Sequence, residues 1–155
     1  MSNTFTNLVY HIIYSTKYRR ATISADLKSD LYAYVGGILV KRDGIPLEIG
    51  GTADHIHILA KLSPKHAIMD VLRDVKADSS KWINERTTAK QRFEWQTGYG
   101  AFSVSSSQVD KVQSYIRNQE EHHRKQSFKE EFLALLRKHQ IEFDLKYVFD
   151  EEHIG

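Results

Sequence analysis

The chain contains no cysteine among its 155 residues. That excludes disulfides, thiolate nucleophiles and cysteine-based zinc sites, and it agrees with a reducing compartment. No apolar run approaches the roughly 20 residues that a membrane-spanning helix needs. The opening MSNTFTNLVYHIIYST lacks the charged start, long apolar stretch and small-residue cleavage site of a secretory signal. Together these absences predict a soluble cytoplasmic protein without membrane partners. Two prolines and eight glycines make no flexible linker, so residues 1–155 are read as one domain with its own hydrophobic core. Neither sign of charge is in strong excess. A net charge of +2 carries no global signature of a nucleic-acid binder.

What basic charge there is lies unevenly. The run TKYRR, with Lys17, Tyr18, Arg19 and Arg20, follows the first apolar stretch, and HHRK (His122 to Lys125) comes late. Tyr14 and Tyr18 are interleaved with the first cluster, as stacking on single-stranded nucleic acid requires. A solvated face accounts for such a cluster equally well.

Hydrophobic periodicity divides the chain into alternating elements. TFTNLVYHIIYST is rich in β-branched and aromatic residues and reads as a strand. A helix follows, with Leu27, Leu31, Tyr34, Val35, Ile38 and Leu39 on one face, Ser24 as its cap and Gly44 at its end. Gly36 and Gly37 inside it each cost about 1 kcal/mol of helix propensity, which marks either close backbone packing or a weak spot. IPLEIGGTA and HIHILAKL form an antiparallel pair separated by Gly50 and Gly51. A second helix carries Ile68, Val71, Leu72, Val75, Ser79 and Trp82 along one side, and GAFSVSSS is a fourth strand with Phe102 and Val104 inward. A polar helix over about 108–125 and a helix and tail over 127–155 complete the chain, the latter opened by a Ser127/Glu130 capping box. The order defines an α+β fold, a ferredoxin-like or RRM-like split βαβ antiparallel sheet whose central strands are the first and third.

His55 and His57 occupy i and i+2 of the third strand and leave the sheet on one face, opposite Ile56 and Ile58. That places both imidazoles on the open face of the sheet, where they can share one metal ion. Two ligands do not make a site, so a third ligand and a reactive group are needed. On the polar helix, Tyr115, Gln119 and His122 follow at i, i+4 and i+7 beside the stripe Val109, Val112 and Ile116. Laid on the open face, this helix brings Tyr115 to the histidines and offers the Gln119 oxygen as a ligand. Those parts suit attack of a tyrosine oxygen on a phosphodiester, with the bond stored as phosphotyrosine and a divalent ion polarising the phosphate. An edge tyrosine also serves for packing alone, and no general base for Tyr115 is evident.

The chain resembles the single-tyrosine HUH transposases, which comprise the small transposases of the simplest bacterial insertion sequences and their REP-associated relatives. HIHIL, YIRNQ, TKYRR and FEWQTGYGAFSVS carry the resemblance, in the family's order. It implies cleavage and strand transfer of single-stranded DNA with hairpin ends, through a 5′-phosphotyrosine and with Mg or Mn as cofactor. By the same resemblance His55 and His57 are the metal pair, Gln119 the third ligand and Tyr115 the nucleophile. It further implies a homodimer in which the tyrosine helix completes the partner's site. Lys17, Arg19 and Arg20 are expected to contact the DNA backbone and Tyr18 to stack on a base. The tail IEFDLKYVF, with alternating apolar residues from Ile141 to Phe149, is closer to the REP-associated relatives and to a role other than autonomous transposition. Two rivals remain: an RRM-like module that binds single strands without cutting them, and a replication initiator with the same chemistry. Histidines where an RNP-like aromatic pattern belongs weigh against the first, and the single tyrosine against the second.

Overall fold

Alternation along the chain's most β-branched segments builds the frame that carries the site. In the computed structural model, which describes residues 3–88 and 90–149, four strands form one sheet in the order β2-β3-β1-β4. They are β1 (Val9–Ser15), β2 (Ile45–Thr52), β3 (His55–Lys61) and β4 (Gly100–Ser103), all antiparallel to their neighbours. The first and third strands are central, as the sequence predicts.

The sheet has two covered faces. On one, Ile12, Tyr14, Ile56, Ile58 and Ala60 pack with α1 (Ala25–Lys41) and α2 (Ile68–Arg86) through Leu31, Val35, Leu39, Val71, Leu72 and Val75. Ser24 caps α1 by accepting from the Leu27 N–H, and the chain turns away at Asp43, whose φ is 63°. Gly36 and Gly37 turn out to be weak spots. A Cβ at Gly36 would meet only ordinary contacts at 3.8 Å, and one at Gly37 would meet nothing within 4 Å.

The opposite face, expected to be open, is covered. It carries Val9, Leu59 and Ile116 in one cluster and Ile13, Phe102, Phe128, Phe132 and Leu136 in another. The cover consists of α3 (Val109–Arg117), α4 (Gln119–His122) and α5 (Phe128–Lys138). Phe102 therefore points inward to this second core rather than to the one beneath α1 and α2. Burial of these apolar groups explains the cover: three large α5 side chains would otherwise face water, at about 2 kcal/mol each.

Gly50 and Gly51 lie inside β2, and the β2–β3 turn falls one step later, at Ala53 and Asp54. Gly50 is needed for the close approach of α3, because a Cβ there would lie 2.8 Å from the Ile116 carbonyl oxygen and 2.9 Å from its Cγ2. Gly50→Val is expected to lift α3 from the sheet and lower stability by about 1–3 kcal/mol. Urea denaturation checks this, and an unchanged midpoint would contradict the packing.

The expected helix over 108–125 is two helices. Asn118, a poor helix former whose side chain competes for backbone hydrogen bonds, caps α3 at φ −98° and ψ 22°, and α4 restarts at Gln119. The capping box at Ser127 and Glu130 forms as predicted. The alternating tail is not extended throughout: Leu145–Val148 form a helical turn, α6, capped by Asp144. Phe143, Val148 and Phe149 pack against the α5 cluster, and the tail's last residues, 150–155, lie outside the described residues. Among the described residues no helix is long and apolar enough to cross a membrane.

Candidate metal centre and tyrosine site

β3 pairs on both sides, Ile13↔His57 in β1 and Gly50↔His57 in β2, which fixes the face on which the histidines emerge. Both are 0% exposed. Each ring is held from behind. His55 Nδ1 lies 2.7 Å from Asp54 Oδ1 and 2.9 Å from Thr52 Oγ1, while His57 Nδ1 lies 2.7 Å from His11 Nε2. Both Nε2 atoms are thereby aimed into the space beneath α3, α4 and α5.

That space collects the predicted residues and adds two more. His55 Nε2 is 2.8 Å from Gln119 Oε1, and the Gln119 amide donates to Glu131 Oε2 at 3.0 Å. Glu131 Oε1 lies 3.1 Å from His57 Nε2 and 3.0 Å from His123 Nε2. The Tyr115 hydroxyl donates to Glu131 Oε2, and its ring centroid stands 5.8 Å from that of His57 in the same chain. His55, His57, Gln119 and Tyr115 thus meet at one place. His122 stays outside, exposed, with its ring 4.7 Å from Tyr115, and its neighbour His123 enters instead.

Burial sets the protonation states. It lowers His57 to about 4 against the opposing hydrogen bond to Glu131, and it lowers His11 to about 3 with help from His57. Both rings are therefore neutral near pH 7, the form that ligates metals. Burial by itself would raise the Glu131 carboxyl, but hydrogen bonds from His123 and His57 outweigh it and hold the group well below the usual carboxylate range. Tyr115 is pushed up by burial and by its bond to Glu131, so the phenol keeps its proton at rest.

His11, His123 and Glu131 were not predicted. His11 was accessible in principle, since β1 and β3 are central neighbours and period 2 places His11 and Ile13 on the histidine face. Glu131 left a signal too, as a carboxylate interrupting the apolar stripe Phe128, Phe132 and Leu136 of α5. His123 left none.

The basic run leaves β1 at the end that pairs with His55, as a single turn over Lys17–Arg19. FEWQ holds it in place: Thr16 bridges Trp95, the Lys17 N–H donates to the Glu94 carbonyl at 2.9 Å, and the Ser15 N–H donates to Gln96 Oε1 at 2.7 Å. Tyr18 is half-buried, with Lys17 and Arg20 over its ring at 5.4 and 5.1 Å. Arg19 stands over Phe149 at 4.9 Å, and Lys17 also pairs with Glu94 at 3.5 Å. Tyr14, expected beside this cluster, is fully buried on the other face against Trp95 and is closed to a nucleic acid.

One ligand atom from each of His55, His57, His123 and Glu131 lies within 4.8 Å of the others. Imidazoles converging with a carboxylate are a donor set for a divalent cation, here carried on a split βαβ sheet beside a tyrosine. Residues 4–119 match the family described as "Transposase IS200 like", and the chain belongs to that family. It is 27% identical to the IS200 transposase of Salmonella typhimurium over 124 residues, covering 77% of this chain and 81% of the relative. It is 24% identical to the ISDra2 transposase of Deinococcus radiodurans over 119 residues, 72% and 84% of the two chains. In structure it resembles a crystal structure assigned as a transposase from Deinococcus radiodurans, with a TM-score of 0.61 at 22% identity over 77% of this chain and 95% of the other. It also resembles a REP-associated tyrosine transposase bound to a REP hairpin, with a TM-score of 0.60 at 13% identity over 79% and 74%.

Proposed function

We propose that this transposase cleaves and rejoins single-stranded DNA through a 5′-phosphotyrosine at Tyr115, at a divalent metal site that includes His55, His57 and Gln119. The observation that carries the reading is the meeting of the Tyr115 hydroxyl with the buried histidine pair. A bound ion, Mg or Mn, would polarise the phosphate and offset charge in the transition state. Tyr115 Oη attacks phosphorus and gives its proton toward Glu131 Oε2, the atom that already accepts it. The P–O3′ bond breaks and the 3′ oxygen leaves as a hydroxyl, taking a proton from solvent. Because the phosphate ester energy is kept in the phosphotyrosine, a second 3′-hydroxyl can reverse the step on another strand.

Hairpin DNA is the substrate we favour, supported by the REP hairpin on the structural neighbour. The dimer implied by resemblance, with Tyr115 acting on the partner's site, stays part of the proposal, while within the single chain Tyr115 stands beside its own His57. An RRM-like binding module is disfavoured, since such modules use an open sheet face and here that face lies beneath α3, α4 and α5. Denaturing electrophoresis after incubation with hairpin-bearing single strands and Mn tests the function: a covalent protein–DNA species is expected. DNA that is retained natively but never attached would favour the binding module.

Lys17, Arg19 and Arg20 are assigned to the DNA backbone and Tyr18 to a stacked base. Neutralising the three cations should flatten the salt dependence of single-strand binding by a slope of about 0.7 for each phosphate that a cation no longer neutralises. Affinities measured across a salt series check this, and an unchanged slope would make the turn a solvated edge.

A further inference from the structure

We propose that α5 is part of the metal site. Glu131 Oε1 and His123 Nε2 ligate the same ion as His55, His57 and Gln119, adding a third imidazole and a carboxylate and so suiting the site to a first-row transition ion. The inference rests on the histidine-pair metal site proposed above and deepens it. Both added ligands lie beyond residue 119, where the match to the family ends.

Spacing is the first argument. Glu131 Oε1 lies 3.0 Å from His123 Nε2, 3.1 Å from His57 Nε2 and 3.5 Å from His55 Nε2. With metal–ligand bonds of about 2.1 Å, neighbouring ligand atoms sit about 3.0 Å apart in an octahedral arrangement and about 3.4 Å apart in a tetrahedral one. Three imidazole nitrogens stand around one carboxylate oxygen at those separations.

The outer hydrogen bonds are the second. Asp54 and Thr52 engage His55 Nδ1, and His11 engages His57 Nδ1, which settles the ring orientation and leaves Nε2 as the inward atom, as partners of metal-bound histidines do. Glu131 receives matching treatment. The Gln119 amide and the Tyr115 hydroxyl both donate to Oε2, which leaves Oε1 turned to the imidazoles. One carboxylate then touches the ion through one oxygen and the nucleophile through the other.

Burial is the third. Glu131 is 1% exposed on a helix face otherwise made of Phe128, Phe132 and Leu136. A buried carboxylate needs partners; Tyr115 and Gln119 serve Oε2, and a divalent ion shared with the imidazoles is the partner this donor set offers Oε1. Imidazole-rich sets favour first-row transition ions over Mg.

Cobalt(II) titration of the full chain, followed by its visible ligand-field absorption, tests the proposal. Wild type should bind about one ion, and a hundredfold excess of Mg should not displace it. Glu131→Gln and His123→Ala should each weaken Co binding at least tenfold and alter the bands, whereas Glu130→Gln, next in sequence but at the solvent-facing capping box, should change neither. Circular dichroism without metal establishes folding of each variant. Should a variant not fold, hydrogen exchange of wild type decides, since Co should slow exchange of the α5 amides over 128–138. Binding lost in His57→Ala but unchanged in Glu131→Gln and His123→Ala would overturn the role of α5 and leave the histidine-pair site standing. Unchanged α5 exchange would overturn it as well. A wild-type chain that binds no ion would overturn both.

Discussion

A Tyr115→Phe chain is expected to form no covalent adduct with single-stranded DNA and to lose cleavage by at least about a thousandfold, while folding and binding DNA as the wild type does. The ring keeps its neighbours: His57 at 5.8 Å, His11 at 6.3 Å and His122 at 4.7 Å between centroids. Only the hydroxyl is removed, and with it the oxygen proposed to attack phosphorus. Glu131 Oε2 keeps the Gln119 amide as a donor at 3.0 Å, so the carboxylate is not left unpaired. The stability cost is that of one hydrogen bond to a charged group, about 1–3 kcal/mol. Cleavage assays on denaturing gels, with anisotropy for binding, separate the two effects. A Tyr115→Phe chain that still becomes attached to DNA would remove this tyrosine from the chemistry.

His57→Ala is expected to lose cleavage to a comparable degree and to retain DNA affinity within a few fold, because the basic turn at Lys17–Arg19 is anchored through Glu94 and Trp95 rather than through His57. The substitution removes one inward nitrogen and strips His11 Nε2 of its partner at 2.7 Å. Wild type in chelator should behave the same way, and added Mn should restore the wild type but not the variant. Full-rate cleavage in chelator would return His55 and His57 to the status of buried, hydrogen-bonded strand residues.

The parts of the site that follow local periodicity were legible in the sequence. Period 2 puts His55 and His57 on one face, and the i, i+4 spacing couples Tyr115 to Gln119 in sequence, although Asn118 divides their helices. The burial of Tyr14 was legible by the same rule, because it shares a face with Ile12, but the basic residues that follow drew it into the wrong reading. Docking of α5 was not legible. Its stripe of Phe128, Phe132 and Leu136 fits any apolar surface, and only the pairing of β1 with β4, which sets Phe102 opposite His11 and diagonal to Ile13, makes this one. The signal that Glu131 left, a carboxylate within that stripe, also has an ordinary explanation. An acidic residue in a first helical turn ordinarily reads as a complement to the helix dipole, and Glu130 beside it does serve that way, whereas Glu131 turns inward to the histidines. The break at Asn118 was equally silent, though it is what brings Gln119 beneath α3 to His55.

Tyr115 is proposed to supply the oxygen that attacks the DNA phosphate, and mass spectrometry of the protease-digested, nuclease-trimmed covalent complex tests this. One modified peptide is expected, containing Tyr115, with a phosphate ester on that residue and a free 3′-hydroxyl on the released strand. A modified peptide that maps to another residue, or strand cleavage that leaves every peptide unmodified, would contradict it.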